Sequence, residues 1–549
     1  MVANEGQFGD DGDLGCAVRS TVALFLLFSA CKPEEDAPPA DPFPAADAWG
    51  PTTGPGGPKR TFTEAELFTS CGWLQGDAAH ESDHHNLVVM YDGYLVMPWA
   101  PEDGPFRMPR TEGAPLPSPF APGEEPLPDG IYGGGITLYD ISDPCSPVKV
   151  GEAWSPWMRE THAMGFETVD GRDYMAVDYL DLDGTGGVGF WDITDRAAPF
   201  WASQVAVPNH KYPDSYTRLT LSNFWQGRYV YAPTSVLGVA VVDAADPLHP
   251  TIAGNILFDG PMTVGMFHMW GNRAMASSAG VSRVVLLDTS DPLVPQPILG
   301  GDFNTYDSAG ALTAFYFSNV GVNYGLFARS TRGGGPVVYD LTNMSPPTFV
   351  SNVTTEGGDG GYIFQHNDFL FQGDSNFGSV YDFADPTKPT EIGRIFMKGD
   401  LDTVTPLGNV AFVSVDEKGN PGQATGVFPW STELDTTAPM AGMTSPEDGA
   451  KGQALTSRVG VVFDEMIEPR SAFTGSFRVA DPDGQPVPGV YNVQENIVNF
   501  SPDEPLLPGS KYTVTLKAGG LVDYSGNALA ADVSFSFTTV GSAPVTETP

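Results

Sequence analysis

A run of histidines and acids near the start of the chain has the composition of a metal site. It reads His80-Glu81-Ser82-Asp83-His84-His85. Two histidines four positions apart, with a glutamate after the first, match the His-Glu-x-x-His pattern of zinc proteases, in which a helix puts both imidazoles on one face. The apolar stretch Asn86 to Met90 follows at once and has the pattern of a strand, which argues against that helix. We therefore expect a non-catalytic metal or substrate site, or a polar loop, rather than a protease centre.

A second acidic motif resembles part of a calcium loop. It reads Asp181-Leu182-Asp183-Gly184-Thr185-Gly186, and it lacks the later bidentate glutamate of a complete loop. A turn between two strands is the simpler interpretation. The candidate metal ligands of the chain are therefore His80, His84, His85, Asp181 and Asp183, with calcium or a transition metal as the cofactor. The motifs of serine hydrolases, nucleotide-binding loops and dinucleotide-binding folds are absent from the sequence.

The elements that must position these residues repeat along the chain. Six copies of one pattern occur between residues 140 and 389: an apolar run ending in Asp, an Asp or Asn three positions on, and a Pro seven positions on. The first acids are Asp140, Asp192, Asp243, Asp288, Asp340 and Asp382, and the prolines are Pro147, Pro199, Pro250, Pro295, Pro347 and Pro389. The acids suit turns, and the prolines suit the first residue of an edge strand. Arg196 and Asn343-Met344 replace the usual turn residues, so we expect looser turns in the second and fifth copies.

The period predicts the architecture. Successive copies are 42 to 52 residues apart, which fits one four-stranded blade of a β-propeller. Short β-branched and aromatic runs bounded by turn residues predict an all-β fold. Residues 403–428 contain three further strand patterns without a fourth. We therefore predict seven blades, with the missing strand supplied by the N-terminal segment near Thr61 to Phe68, because ring closure removes an open sheet edge.

Three of the repeat segments carry a family resemblance. GGITLYDISDPCSPVKVG, LGVAVVDAADPLHPTIAG and SRVVLLDTSDPLVPQPILG resemble LVIVD repeats, which are found in bacterial and archaeal surface propellers. The resemblance implies the propeller fold and no catalytic set. The innermost strand of each blade begins beside the central channel, so polar residues at those starts are candidate ligand contacts. They are His84, His85, His162, Arg218 and Tyr362.

The C-terminal part has the pattern of a second domain. Residues 436–541 contain alternating strand patterns at the turn spacing of a β-sandwich. The segments VVFDEMIEP, FSPDEPLLPGSKYTVTL and DYSGNALAADVSFSFTT resemble the bacterial Ig-like domain of surface-layer proteins. This resemblance implies a spacer or an adhesive module.

The N-terminal part looks like a bacterial lipoprotein signal. Arg19 precedes an apolar stretch, Val22 to Phe28, which ends in Phe28-Ser29-Ala30-Cys31 and then turns polar. The stretch is far shorter than the ~18 residues that a membrane-spanning helix needs. The resemblance implies export and lipidation of Cys31, and the acidic residues 1–16 suggest a start later than Met1. The predicted organisation is a signal segment at 1–31, a proline-rich tether at 32–58, a propeller at 59–435, an Ig-like domain at 436–541 and a tail at 542–549.

Composition agrees with an exported protein. The chain has 68 acidic and 27 basic residues and a net charge of −41, which repels nucleic acid and anionic lipid, so we expect neither as a partner. Of the four cysteines, Cys16 would leave with the signal and Cys31 would carry lipid. In an oxidising compartment the other two, Cys71 and Cys145, could form a disulfide.

Together these features predict a lipid-anchored surface protein of the cell envelope or outer membrane. Its propeller would present a ligand face, and its Ig-like domain would act as a spacer or second contact. The expected partner is an extracellular protein or a glycan, with the membrane contacted through the lipid anchor alone. The alternative is a metal-dependent hydrolase or lyase that uses His84, His85 and His162 at the channel mouth. Binding or adhesion is preferred, although a propeller by itself is compatible with both.

Overall fold

A computed structural model describes residues 74–75, 83–84, 89–101, 134–158, 161–181, 184–211, 222–416 and 425–541. These residues form 37 strands and one short 3-10 turn, Pro469–Ser471, so the fold is all-β as predicted. Nine sheets are present among them. Seven of these sheets belong to a propeller, and two form a C-terminal sandwich.

The propeller strands follow one another in chain order. The first strand is β1 (Leu74–Gln75). Blade 1 contains β2 (Asp83–His84), β3 (Val89–Tyr91), β4 (Tyr94–Pro101), β5 (Gly134–Asp140) and β6 (Val148–Ser155). Blade 2 contains β7 (Gly165–Val169), β8 (Arg172–Leu180), β9 (Thr185–Asp192) and β10 (Phe200–Lys211). Blade 3 contains β11 (Phe224–Gln226), β12 (Tyr229–Pro233), β13 (Val239–Asp243) and β14 (Thr251–Ile256).

The same arrangement continues around the ring. Blade 4 contains β15 (Val264–Trp270), β16 (Arg273–Ser278), β17 (Arg283–Asp288) and β18 (Gln296–Asn304). Blade 5 contains β19 (Phe315–Val320), β20 (Tyr324–Arg329), β21 (Pro336–Asp340) and β22 (Thr348–Asn352). Blade 6 contains β23 (Ile363–His366), β24 (Phe369–Gly373), β25 (Gly378–Asp382) and β26 (Thr390–Ile395). Blade 7 contains β27 (Thr403–Leu407), β28 (Val410–Ser414) and β29 (Thr425–Pro429).

The seventh blade is completed by the N-terminal strand. In β1, Leu74 lies opposite Gly426 and Gln75 opposite Thr425, so β1 is the outermost strand of the sheet β27-β28-β29-β1. The segment 61–68, which the sequence suggested for this role, lies outside the described residues. The observed closing strand begins at Leu74.

The repeated acids form the turns between the two outer strands of each blade. In the first copy, Asp140 Oδ1 accepts the N–H of Ser142 and Asp143 Oδ1 accepts the N–H of Cys145. The same pair of bonds to the residue two positions on recurs in the other five copies. Each late proline immediately precedes the outermost strand, as at Pro147 before β6. The repeat therefore encodes turns, because these carboxylates satisfy backbone donors of the turn.

The expected loosening at Arg196 is wrong. The Asp195 Oδ1 atom accepts the N–H of Ala197 at 3.0 Å, and the Asp195 carbonyl accepts the N–H of Ala198 at 3.0 Å, as in the regular copies. Arg196 is buried and its Nη2 atom donates to Asp92 Oδ2 at 2.9 Å and to Asp173 Oδ2 at 2.7 Å. The arginine thus joins blade 1 to blade 2, because Asp92 lies in the inner hairpin of the neighbouring blade.

The sandwich is built from two four-stranded sheets. The first contains β30 (Ala441–Ser445), β32 (Val459–Phe463), β34 (Gly489–Gln494) and β35 (Ile497–Pro502). The second contains β31 (Ala450–Gln453), β33 (Phe477–Ala480), β36 (Lys511–Leu516) and β37 (Val533–Thr539). Apolar side chains of both sheets, such as Val461, Phe500, Val514 and Phe535, form its own buried core.

The sandwich packs on one end of the propeller. We call this the hairpin end, because the turns between the two innermost strands of the blades lie there; the inner strands begin at the opposite, loop end. Amide side chains on β34, on β35 and in the turn between them donate to backbone carbonyls of the inner strands. Asn492 donates to Phe166 O, Asn496 to Val320 O at 2.8 Å, and Asn499 to Met269 O at 3.1 Å. The docked amides satisfy strand-end carbonyls that would otherwise need water.

Other contacts between the Ig-like domain and the propeller lie at further points around the ring. Tyr524 donates to Met90 O in blade 1 at 3.0 Å, and Asp464 O accepts the N–H of Asn367 in blade 6 at 3.0 Å. A Cβ on Gly460 would lie 2.0 Å from the backbone nitrogen of Gly271, so only glycine allows the two backbones to approach this closely. The Ig-like domain is therefore fixed to the propeller, and its role as a spacer or second contact stays a prediction.

Candidate functional site

Two of the predicted ligand contacts lie together at the centre of the ring. His162 precedes the inner strand of blade 2, and Tyr362 precedes that of blade 6. Their ring centroids are 6.3 Å apart, and Phe317 of blade 5 lies 5.6 Å from His162 and 4.1 Å from Tyr362. His162 and Tyr362 are only 4% and 3% exposed. His162 and Tyr362 thus lie close together, and they pack against an aromatic ring instead of lining an open mouth.

The centre of the propeller is apolar. Inner-strand side chains from six blades belong to one buried cluster, which includes Met90, Phe166, Met266, Phe317, Phe364 and Leu407. Met466 and Tyr524 of the Ig-like domain join the same cluster at the hairpin end. This packing is favourable because it removes the apolar side chains of the inner strands from water.

The other predicted site residues are placed as follows. Asp83–His84 forms β2, with His84 opposite Ala100, so this part of the His-Glu-x-x-His segment is strand and not the helix of a zinc protease. Asp181 lies in the turn between β8 and β9, where its carboxylate accepts the hydroxyl of Tyr179 at 3.1 Å. Cys145 is buried and disulfide-bonded. The remaining candidates lie outside the described residues: His80, His85, Asp183, Arg218, Cys31 and Cys71. The pairing of Cys145 with Cys71 stays a prediction.

Two histidines that the sequence did not single out are buried. Burial lowers the pKa of His268 to about 4, although its Nε2 atom lies 2.9 Å from the Ser318 carbonyl. Burial also lowers the pKa of His210 to about 4. Both imidazoles are therefore neutral at neutral pH, and neither supplies a charge for ligand binding there.

Exposed apolar side chains lie at the loop end between blades 4 and 5. We call Val281, Tyr306, Leu312 and Tyr316 the apolar rim. Tyr316 is 44% exposed and Leu312 is 55% exposed. Backbone bridges join Val281 to Phe315 and Tyr306 to Leu312, so the strands and turns that carry the rim are neighbours.

The turn that carries the rim is held rigidly. Asp307 Oδ1 accepts the N–H groups of Ala309 and Ala311 at 3.0 and 2.9 Å. The backbone N–H of Tyr306 donates to the hydroxyl of Tyr339 at 2.9 Å. The apolar rim is thus presented in a fixed arrangement, which lowers the entropy lost when a partner binds.

A third group of polar residues was not predicted. His366 at the end of β23, Asp435 in the connector between the domains, and Glu465 after β32 place ligand atoms within 4.8 Å of one another. Among the residues that the structure describes, this is the only His/Cys/Asp/Glu group with that geometry. The sequence signal was weak, since the three residues are far apart in the chain and belong to no local motif.

A cleft of about 480 Å³ lies where the Ig-like domain meets blades 2 and 3. Two arginines contribute to its walls. Arg228 is paired with Asp243, and Arg458 donates to the hydroxyl of Tyr231 at 3.3 Å. Both arginines are therefore already bonded to groups of the propeller. This makes the cleft a weaker site for an anionic ligand.

Comparison with known proteins identifies the C-terminal domain. Residues 435–539 match the family model of the bacterial Ig-like domain. No curated protein matches the chain. The boundaries of the match enclose the two sheets of the sandwich, so this part of the chain is a bacterial Ig-like domain.

Solved structures that align with the chain have low identity. A protein from Lactobacillus plantarum is 13% identical, with 54% of this chain and 95% of that chain covered and a TM-score of 0.41. A hypothetical selenium-binding protein from Sulfolobus tokodaii is 11% identical, with coverage of 73% and 92% and a TM-score of 0.40. The Cps50 (Swd1) β-propeller domain from Myceliophteria thermophila is 8% identical, with coverage of 63% and 97% and a TM-score of 0.39.

The class of protein follows from the two domains. The chain is a seven-bladed β-propeller followed by a bacterial Ig-like domain. In the described part of the chain, no helix has the length and apolar character to cross a membrane. The Ig-like domain indicates an extracellular or surface protein.

Proposed function

We propose that this protein is an exported, lipid-anchored surface protein that binds an extracellular protein or a glycan through the loop end of its propeller. The observation that carries the proposal is the apolar rim, which exposes two tyrosines, a leucine and a valine side by side. Exposed apolar groups of this kind mark interaction surfaces. The hairpin end holds the Ig-like domain, which supports the loop end as the ligand surface.

The chemistry of the rim suits either partner class. Tyrosine supplies apolar area and a hydroxyl at a low entropy cost, which favours protein contacts, and its ring can also pack on a sugar face. The net charge of −41 disfavours acidic partners. His84, His85 and Arg218 stay proposed contacts at the same end, because the inner strands begin there.

The rim proposal is tested by substitution at the loop end. The full chain is screened against a glycan array and a panel of immobilised extracellular proteins, and the best probe is then measured with variants. We expect Tyr316→Ala combined with Leu312→Ser to weaken binding by about 30-fold or more, the effect of losing one hot spot. Because these side chains are exposed, the melting temperature should change little.

Leu507→Ser is the matched control, since Leu507 is an exposed leucine of the Ig-like domain. It should bind like the wild type. Binding that survives the rim substitutions and is lost in the Leu507 variant would assign the function to the Ig-like domain instead. Failure of the wild type to bind any glycan or protein would contradict the adhesion proposal.

The anchor is a separate part of the proposal. The Phe28-Ser29-Ala30-Cys31 segment, the proline-rich tether and the resemblance to LVIVD-repeat surface propellers support lipidation of Cys31. We expect the wild type to fractionate with membranes and Cys31→Ser to accumulate as unlipidated precursor. Mass spectrometry of the mature N-terminus provides the measurement. A mature chain that begins elsewhere, or a Cys31 without lipid, would exclude the anchor and leave the rim proposal intact.

A further inference from the structure

The group formed by His366, Asp435 and Glu465 joins three parts of the chain. His366 belongs to blade 6, Asp435 to the connector, and Glu465 to the Ig-like domain. His366 Nε2 lies 3.6 Å from Asp435 Oδ2, and His366 Nδ1 lies 3.5 Å from Glu465 Oε2. Both separations are longer than strong hydrogen bonds, and they involve different nitrogens of the imidazole. One ligand atom of each of the three residues lies within 4.8 Å of the other two, so a single ion could contact all three side chains.

The carboxylates of this group are buried and incompletely satisfied. The side chains of His366, Asp435 and Glu465 are 6%, 5% and 1% exposed. Asp435 Oδ1 accepts the N–H of Thr437 at 2.9 Å, which fixes the carboxylate. Asp435 Oδ2, which faces the imidazole, and Glu465 Oε1 have no hydrogen-bond partner in the described structure. Buried polar atoms are rarely left this way without a ligand.

Acidic side chains accumulate around the group. Asp464 and Asp523 lie close to Glu465. Among the described residues, His366 is the only basic side chain within 4.0 Å of Asp435 or Glu465. A cation would compensate ionised carboxylates at this buried place more fully than one imidazole.

We propose that His366, Asp435 and Glu465 bind a Zn²⁺ ion that links the propeller, the connector and the Ig-like domain. One imidazole nitrogen with two carboxylates is a zinc ligand set, whereas Ca²⁺ and Mg²⁺ prefer oxygen ligands alone. Zinc bonds of 2.0–2.1 Å in a tetrahedron require ligand atoms about 3.3 Å apart. The ligand atoms of this group lie within 4.8 Å of one another, so the side chains would rotate toward the ion when it binds. Asp523 or a water molecule would complete the coordination.

The surroundings of the three ligands resemble the outer shell of a metal site. The imidazole of His366 is hydrogen-bonded to the Gly408 carbonyl, which leaves its other nitrogen for the metal. Asp523 accepts the backbone N–H of Asn527 at 2.7 Å and its side-chain amide at 2.9 Å. The proposed zinc would hold the docked domain to blade 6, independently of any ligand at the apolar rim.

The test is zinc binding by the full chain after dialysis against a chelator. Calorimetric titration with Zn²⁺ should show one tight site, and the melting temperature should rise with the zinc concentration. His366→Gln and Asp435→Asn should each lower the zinc affinity by at least about 100-fold, the upper limit for losing an outer-shell partner. His249→Gln is the control, because His249 is an exposed histidine of blade 3, and this variant should keep the wild-type affinity.

Two further measurements keep the result interpretable. Metal-free His366→Gln and Asp435→Asn should have the circular dichroism of the metal-free wild type, which separates lost ligands from lost folding. X-ray absorption of the zinc-loaded wild type needs no substitution and should show one imidazole among oxygen ligands. An all-oxygen shell, two or more imidazoles, unchanged affinity in both variants, or loss of zinc in His249→Gln would overturn the proposal.

Discussion

Replacing Arg196 by proline should destabilise the protein by about 3 kcal/mol, although proline occupies the equivalent turn position in four other repeats. The guanidinium is buried between Asp92 and Asp173 and also lies over the rings of Tyr91 and Tyr94. Removing one partner of a buried ion pair costs about 3–5 kcal/mol, because the remaining charge stays buried. We expect the lower end of this range, since Arg470 of the Ig-like domain still pairs with Asp92.

The measurement is the free energy of unfolding from urea denaturation of the wild type, Arg196→Pro and Arg196→Ala. Arg228→Ala is the matched control, because Arg228 pairs with Asp243 in blade 3 but is 56% exposed. Exposed pairs contribute less than about 1 kcal/mol. If Arg196→Pro were as stable as the wild type, the local turn preference of the repeat would outweigh the buried pair, contrary to our interpretation.

The stability of the protein should fall as the pH rises from 6.5 to 8. Burial and the neighbouring Asp92 raise the pKa of Glu468 to about 8, and burial raises the pKa of Asp374 to about 7. In the unfolded chain both groups ionise near pH 4. The folded state therefore binds more protons than the unfolded state in this window, so unfolding becomes easier as the pH increases. Each group contributes up to about 1.4 kcal/mol per pH unit below its folded pKa.

Glu468→Gln isolates one contribution. Glutamine keeps an oxygen that can accept the N–H of Arg470, but it cannot ionise. In Glu468→Gln, the unfolding free energy should fall less steeply with pH than in the wild type, up to about pH 8. In Asp374→Asn, the same reduction of the slope should extend only to about pH 7. Below pH 6.5 the buried neutral His210 and His268 act in the opposite direction, since the unfolded chain gains protons there. A wild-type slope retained in Glu468→Gln would show that this carboxyl is ionised in the folded protein.

The propeller itself was predictable because its signals are local. Each repeated acid accepts an N–H two residues further along the chain, and each late proline stands at the start of an outer strand. Such contacts depend on spacing within a few residues, so a single sequence reveals them. The alternating pattern of the C-terminal domain is local in the same sense, and strands such as β32, Val459–Phe463, lie within it.

The exception at Arg196 shows the limit of this local reasoning. Its replacement of a turn proline suggested a weak turn, because the repeat describes only the residues of its own copy. The partner Asp92 lies in another blade, and the ring brings the two together. Charge pairing between blades therefore depends on how the ring brings the blades together, and the sequence of a single repeat does not reveal it.

The site depended still more on tertiary structure. His162 and Tyr362 were correctly placed at strand starts, but only packing around the ring decided that they would be buried beside Phe317. Val281 is far along the chain from the other three residues of the apolar rim. Two backbone bridges bring together the segments that carry these residues.

The chain by itself determined the blades, their turns and the identity of the second domain, since these rest on periodicities within short segments. Only the tertiary structure decided that the Ig-like domain covers the hairpin end, because amides such as Asn496 and Asn499 reveal their role when backbone carbonyls of other blades face them. It also brought His366, Asp435 and Glu465 together from three separate segments. Burial and charge at such a meeting point arise from the fold as a whole, so they have no signature in local sequence.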